Sequence, residues 1–77
     1  MKNRLKVLRA ERNWTQDRLS RELGVSRQAV NALETGKHSP SLDLAYRIAA
    51  VFDQSVEDVF VNPHGGRVDP VEDLIGK

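Results

Sequence analysis

The stretch Gln16–Thr35, QDRLSRELGVSRQAVNALET, decides the fold. Leu19 and Leu23 stand four apart, Val30 and Leu33 three apart, and Gly24-Val25 lies between the pairs. Residues three and four apart share one face of a helix, so the stretch reads as two short helices with a common apolar inner face. Thr15 is an N-cap type whose hydroxyl can accept from a free N–H, and Asp17 puts negative charge into the first turn. Gly24 ends that helix, because only glycine enters the left-handed C′ conformation cheaply. Ser26 caps the next helix after Val25 alone, Ser20 is small enough to let the second helix cross closely, and Val25 fills the corner. Two helices joined by a turn of about three residues form a helix-turn-helix, whose second helix enters the DNA major groove.

Outward from this centre the pattern stays helical. Leu5 and Leu8, with Val7, lie in a run of good helix formers, which predicts a first helix from Lys2 to about Arg12. Gly36 stops the third helix near Thr35, and His38-Ser39-Pro40 reads as a loop. Ser41 caps a fourth helix in which Ala45, Ile48, Ala49 and Phe52 fall at i, i+3, i+4 and i+7. Ser55 caps a short fifth with Val56, Val59 and Phe60 on one face, and Asn62-Pro63-His64-Gly65-Gly66 breaks the pattern. The expected organisation is an all-α, five-helix DNA-binding domain over residues 1–61 and a C-terminal tail over 62–77. In the tail, Asp69-Pro70-Val71-Glu72 carries a short helix-start signal, and Val71, Leu74 and Ile75 an apolar stripe. It reads as a sixth helical turn that packs on a partner, or as a frayed end.

Composition narrows the function. With 77 residues the chain is one small domain, leaving no room for a separate effector-binding domain or a dedicated small-molecule pocket. Charged residues at 30% and aromatics at 5% imply a soluble chain with an aliphatic core. The absence of cysteine excludes disulfides, thiolate–zinc sites and cysteine nucleophiles, and suits a reducing cytoplasm. Ile48–Phe52 is the longest apolar run, far short of the ~20 residues of a membrane span. The early cluster Lys2, Arg4, Lys6, Arg9, Arg12 and Arg18 excludes a secretory signal. Charge is divided along the chain: residues 1–37 hold nine Lys/Arg against four acids, residues 38–77 three against seven. A basic N-terminal half suits a polyanion.

On the third helix Ser26, Arg27, Gln28, Asn31 and Ala32 stay off the Val30/Leu33 side or sit at the helix start. Arg, Gln and Asn carry the donors and acceptors that match base edges, the amides bidentate to adenine and Arg to guanine. Thr15 and Gln16 open a helix whose free N–H groups can hold a phosphate, and Lys37 follows the third helix within reach of the backbone. Trp14 is assigned to packing helix 1 on helix 2, while Arg4, Lys6 and Arg12 are assigned to solvated surface. His38 and His64 are isolated loop histidines without acid or cysteine at ligand spacing, so no metal and no cofactor is expected.

The pieces L-R-x-E-R-x-W-T-Q-D-x-L, L-G-V-S-R-Q-A-V-N-A-L-E-T-G-K and P-S-L-D-L-A-Y-R-I-A resemble the lambda and 434 phage repressor and Cro type, the xenobiotic-response-element helix-turn-helix family, in its short stand-alone form. The resemblance spans Leu5–Phe60. It implies the five-helix lambda-repressor-like domain, Gln16 and Gln28 near DNA, and a partly buried ion pair between Arg9 and Glu34. Arg27 stands where the phage repressors often carry glutamine, and Ala32 where they carry a longer polar residue, so no operator sequence carries over.

Together these readings point to a regulator that binds double-stranded DNA sequence-specifically through Thr15, Gln16, Ser26, Arg27, Gln28, Asn31 and Lys37. A repressor acting as a homodimer on an inverted repeat is the favoured form, because occupancy alone can block polymerase and two half-sites double the contact set. Val59, Phe60 and Val61, joined by Leu74 and Ile75, are the expected dimer surface. An antitoxin with a toxin partner and a protein-interaction module of the same fold are the alternatives. An enzyme is not expected, since no paired acid and base, phosphate loop or metal cluster is present; Gly36-Lys37 lacks the other glycines of a P-loop.

Overall fold

The computed structural model describes residues 1–64. Five helices follow one another: α1 (Leu5–Glu11), α2 (Gln16–Leu23), α3 (Arg27–Glu34), α4 (Leu42–Phe52) and α5 (Val56–Val59). Each of α2 to α5 begins where a hydroxyl residue can take over a free N–H. Thr15, Ser26, Ser41 and Ser55 accept from the backbone N–H of Arg18, Ala29, Leu44 and Asp58 respectively. Such caps contribute about 1 kcal/mol each.

The two helices of the central stretch are set by their turn. Gly24 has φ 71° and ψ 31°, and the N–H groups of Gly24 and Val25 both return to the carbonyl of Ser20. Ser20 is itself buried, its hydroxyl donating to Asp17 O at 2.7 Å, so the close crossing leaves no polar atom stranded. Arg47 reaches from α4 to donate to Leu23 O at 2.9 Å, placing a cation at the negative end of α2. Arg12 does the same for α4, donating to Val51 O at 2.7 Å.

Leu5, Leu8, Leu19, Leu23, Val30, Leu33, Ala45, Ile48 and Phe52 form one buried cluster, closed by Val59 and Phe60. α2 packs on α3 and α4, α1 on α3, and α4 on α5. Trp14 is half-buried against this cluster and packs as expected, but onto α4 as well as α2: its ring centroid is 5.7 Å from that of Phe52, and the Arg18 guanidinium lies 4.8 Å from it. The guanidinium of Arg12 lies 5.2 Å from the Trp14 centroid and 5.1 Å from that of Phe52. Arg12 is exposed, as expected from its position, and its guanidinium also lies over two aromatic rings.

Three expectations change. The first helix starts at Leu5, not Lys2, because Arg4 N–H donates to Val59 O at 2.8 Å and Val61 N–H to Lys2 O at 2.9 Å, pairing the N-terminal residues with the chain leaving α5. Asn3 consolidates this turn-in: its amide donates to Leu33 O at 2.7 Å and its carbonyl accepts from Leu5 N at 3.1 Å. Second, Val59 and Phe60 are 1% and 5% exposed, so they are consumed by the core of one protomer and offer no dimer surface; Val61 alone of the three stays out, at 52%. Leu74, Ile75 and the tail's helix-start signal lie outside the described residues. Third, Ala32 is half-buried and does not face outward with Asn31.

A Cβ at Gly24 would meet only the tip of Arg47, at 3.9 Å, so substitution there is limited by backbone conformation and not by space. Gly24→Ala is expected to cost about 1–2 kcal/mol in urea denaturation, and Gly24→Asn clearly less, because asparagine tolerates the left-handed region. Equal losses would show that packing, not φ, sets the requirement.

Candidate nucleic-acid interface

α3 presents two unlike faces. Val30 and Leu33 are buried, while Ser26, Arg27, Gln28 and Asn31 are exposed. Arg27 and Asn31 are four apart, and Gln28 and Asn31 three apart, so their side chains stand on one strip of the helix. Ser26 holds Ala29 N at 3.0 Å through its oxygen, which leaves the hydroxyl hydrogen as a donor. Thr15 is in the same state: exposed, its oxygen holding Arg18 N at 3.0 Å. Lys37 is exposed in the turn that follows α3, just beyond Gly36 at φ 80°. These residues are all accessible, and each lies in the segments flanking or forming the two-helix unit.

Gln16 stands apart from the rest. It is only half-exposed, and its amide nitrogen forks to Asn31 Oδ1 and Glu34 Oε1, both at 3.1 Å. Its amide nitrogen is thus committed within the protein, while its place in the first turn of α2 still leaves backbone N–H groups there open to an anion. Nothing in the spacing of the sequence signals this fork, since Gln16 is fifteen residues from Asn31 and eighteen from Glu34.

Behind the fork lies the ion pair implied by the resemblance. Arg9 Nε meets Glu34 Oε2 at 2.7 Å, Arg9 Nη2 meets Oε1 at 3.1 Å, and Arg9 Nη1 donates to Trp14 O at 2.8 Å. The two side chains are 16% and 4% exposed. Burial alone pushes the Glu34 carboxyl upward, but hydrogen bonds from Arg9 and Gln16, with the charges of Arg9 and Lys6, outweigh it and hold the carboxyl below its ordinary value. The hydrogen bond that Arg9 donates to Glu34 raises Arg9 in turn, against the opposing effect of its own burial. Both partners therefore stay charged at neutral pH, and the network is satisfied at each buried atom.

An exposed strip of Arg, Gln and Asn on a capped helix, joined by a tight turn to a second capped helix, defines the class: a helix-turn-helix DNA-binding domain. A helix-turn-helix family model matches residues 5–59. The chain belongs to this Cro/C1-type helix-turn-helix family, a family of DNA-binding transcriptional regulators and not of enzymes. It is 52% identical over 61 residues to an uncharacterized HTH-type transcriptional regulator of Methanocaldococcus jannaschii, covering 79% of this chain and 92% of that one. A second such regulator, from Archaeoglobus fulgidus, is 48% identical over 61 residues, covering 79% and 86%. A third, YgzD of Bacillus subtilis, is 47% identical over 60 residues, covering 78% and 91%. Among the described residues no helix is long and apolar enough to cross a membrane.

Arg9→Met should leave Glu34 desolvated without its cation and cost about 3–5 kcal/mol in urea denaturation, whereas Arg9→Met with Glu34→Leu should recover most of that loss. A single-variant cost near that of a surface pair, about 0–1 kcal/mol, would contradict the buried reading. The lowered Glu34 carboxyl adds a pH signature. Its contribution is complete above the usual carboxylate range near pH 4 and is lost as pH falls through the depressed folded value. Thermal midpoints should therefore drop on acidification more steeply for the wild type than for Glu34→Gln.

Proposed function

We propose that the protein is a sequence-specific repressor that binds an inverted-repeat operator in double-stranded DNA as a homodimer, reading each half-site with α3. The observation that carries this reading is the joint exposure of Ser26, Arg27, Gln28 and Asn31 on the strip of α3 opposite the core. Gln28 has both amide groups available to pair with an adenine edge, and Arg27 can take the two acceptors of guanine. Thr15, Ser26, Lys37 and the N-terminus of α2 that starts at Gln16 set the register by holding phosphates. The DNA-binding unit spans residues 1–61, with 62–77 outside it, and works in the cytoplasm where the chromosome lies.

One recognition helix covers only a few base pairs, so two presented about 34 Å apart supply specificity. Because Val59 and Phe60 belong to the core, the self-association surface passes to Val61 and the half-buried Val56 beside it. A protein that remains monomeric in sedimentation at tens of micromolar would remove the dimer from this reading.

In vitro selection of duplex DNA by the purified chain should enrich a short half-site repeated with two-fold symmetry. Gln28→Ala should weaken binding to that site by about 1–3 kcal/mol and relax one base position. Lys37→Ala should lower the salt slope by about one with base preference unchanged. Failure to enrich any sequence, with no salt-dependent affinity for duplex DNA, would favour a protein-interaction module on this fold.

A further inference from the structure

Where the chain leaves α5 it borders an open groove of about 370 Å³, lined by Met1, Val56, Phe60 and Val61 and by the departing residues Pro63 and His64. Phe60 belongs to the core, but Val56 is only half-buried and Val61 is 52% exposed. The following chain begins to turn at the groove itself. Pro63 and His64 form a turn, and His64 N–H donates to Asn62 Oδ1 at 2.8 Å. Gly65 and Gly66 come next in the sequence, and glycine lets a chain reverse at least steric cost. Six residues then separate His64 from Val71. They can span about 20 Å, enough to return to a groove of which His64 is itself a wall.

We propose that this groove is the seat of the chain's own tail, which lays Val71, Leu74 and Ile75 over Val56 and Val61 and so covers the self-association surface. The three tail residues stand at i, i+3 and i+4, the spacing that puts side chains on one helical face. Charge fits the same pairing. Exposed Lys2, whose carbonyl accepts from Val61 N–H, borders the groove on one side and Glu57 on the other. The tail carries Glu72 and Asp73 within the stripe and Arg67 ahead of it. The chain's own tail is favoured over that of a second copy, because so short a tether holds the stripe at an effective concentration of about millimolar. A second copy reaches Val56 and Val61 only when the tail lifts. The covering role rests on the proposed homodimer; the seat does not.

The test uses the full chain as wild type and as the double variant Leu74→Asp with Ile75→Asp, whose changes lie outside the core. Methyl NOE spectra of the wild type, recorded where sedimentation finds the monomer, are expected to link Leu74 and Ile75 to Val56 and Val61. The double variant should shift the Val56 and Val61 methyl signals while its far-ultraviolet circular dichroism stays that of the wild type. It should also self-associate about tenfold more tightly in sedimentation equilibrium, the effect of a cover seated about two-thirds of the time on each of two partners. Absence of the tail-to-groove NOEs overturns the seat. NOEs that arise only between labelled and unlabelled chains in a mixed sample give the groove to the tail of a second copy, and overturn it too. Seated tails with self-association unchanged or weakened in the double variant overturn the covering role. If both chains stay monomeric at tens of micromolar, the homodimer and the covering role fall together, and the NOEs alone decide the seat.

Discussion

The buried carboxylate of Glu34 is the constraint around which the binding unit is organised. It sits in the last turn of α3, where the helix dipole already places partial negative charge, so an acid there is unfavourable on local grounds. Burial adds to that penalty. It is tolerated because Arg9 from α1 grips both oxygens and Gln16 from α2 supplies a third donor. Three helices are thereby fixed against one charged group. Buried pairs of this kind add little net stability over an apolar substitute, since desolvation offsets the Coulomb gain. What they add is direction, because a bidentate guanidinium and a forked amide accept only one arrangement of their partners.

That directional element matters in a domain with little apolar volume. A core built almost wholly of Leu, Val, Ile and Ala packs well but specifies orientation weakly. The polar bonds at helix ends supply what the core does not. Hydroxyl caps close the N-termini of four helices, while Arg47 and Arg12 close the carbonyl ends of α2 and α4. Asn3 joins the N-terminal residues to the end of α3. Each bond spans two elements or terminates one, so the positions of the helices follow from the sites where backbone groups need partners.

Helices α2 to α4 were legible in the sequence because their boundaries are written in local chemistry. Ser and Thr caps, the left-handed Gly24 and the spacing of Ala45, Ile48, Ala49 and Phe52 all act within a few residues of one another. The start of α1 was not, since good helix formers at Lys2 to Arg4 are overruled by pairing with Val59 to Val61, a contact across almost the whole domain. Val59 and Phe60 were misassigned for a related reason. Periodicity says that they share a face but not what already covers it, and α4 covers it here. At the interface, the outward strip on α3 follows from helical spacing alone. The internal commitment of Gln16 does not, because its partners become neighbours only after α2 has folded onto α3.

The resulting surface is biased toward donors. Thr15 and Ser26 accept from helix N–H groups and keep O–H donors, the Asn31 carbonyl accepts from Gln16, and Arg27 and Lys37 have no acceptor at all. The carbonyls of Gln16 and Gln28 remain uncommitted acceptors among the described residues. Donors of this kind match phosphate oxygens and the acceptors on purine edges. The same hydrogen-bond requirements that finish the helices therefore set the polarity of the face they expose. Capping and surface polarity meet at these positions, because a hydroxyl that accepts from a helix N–H keeps its own hydrogen as a donor.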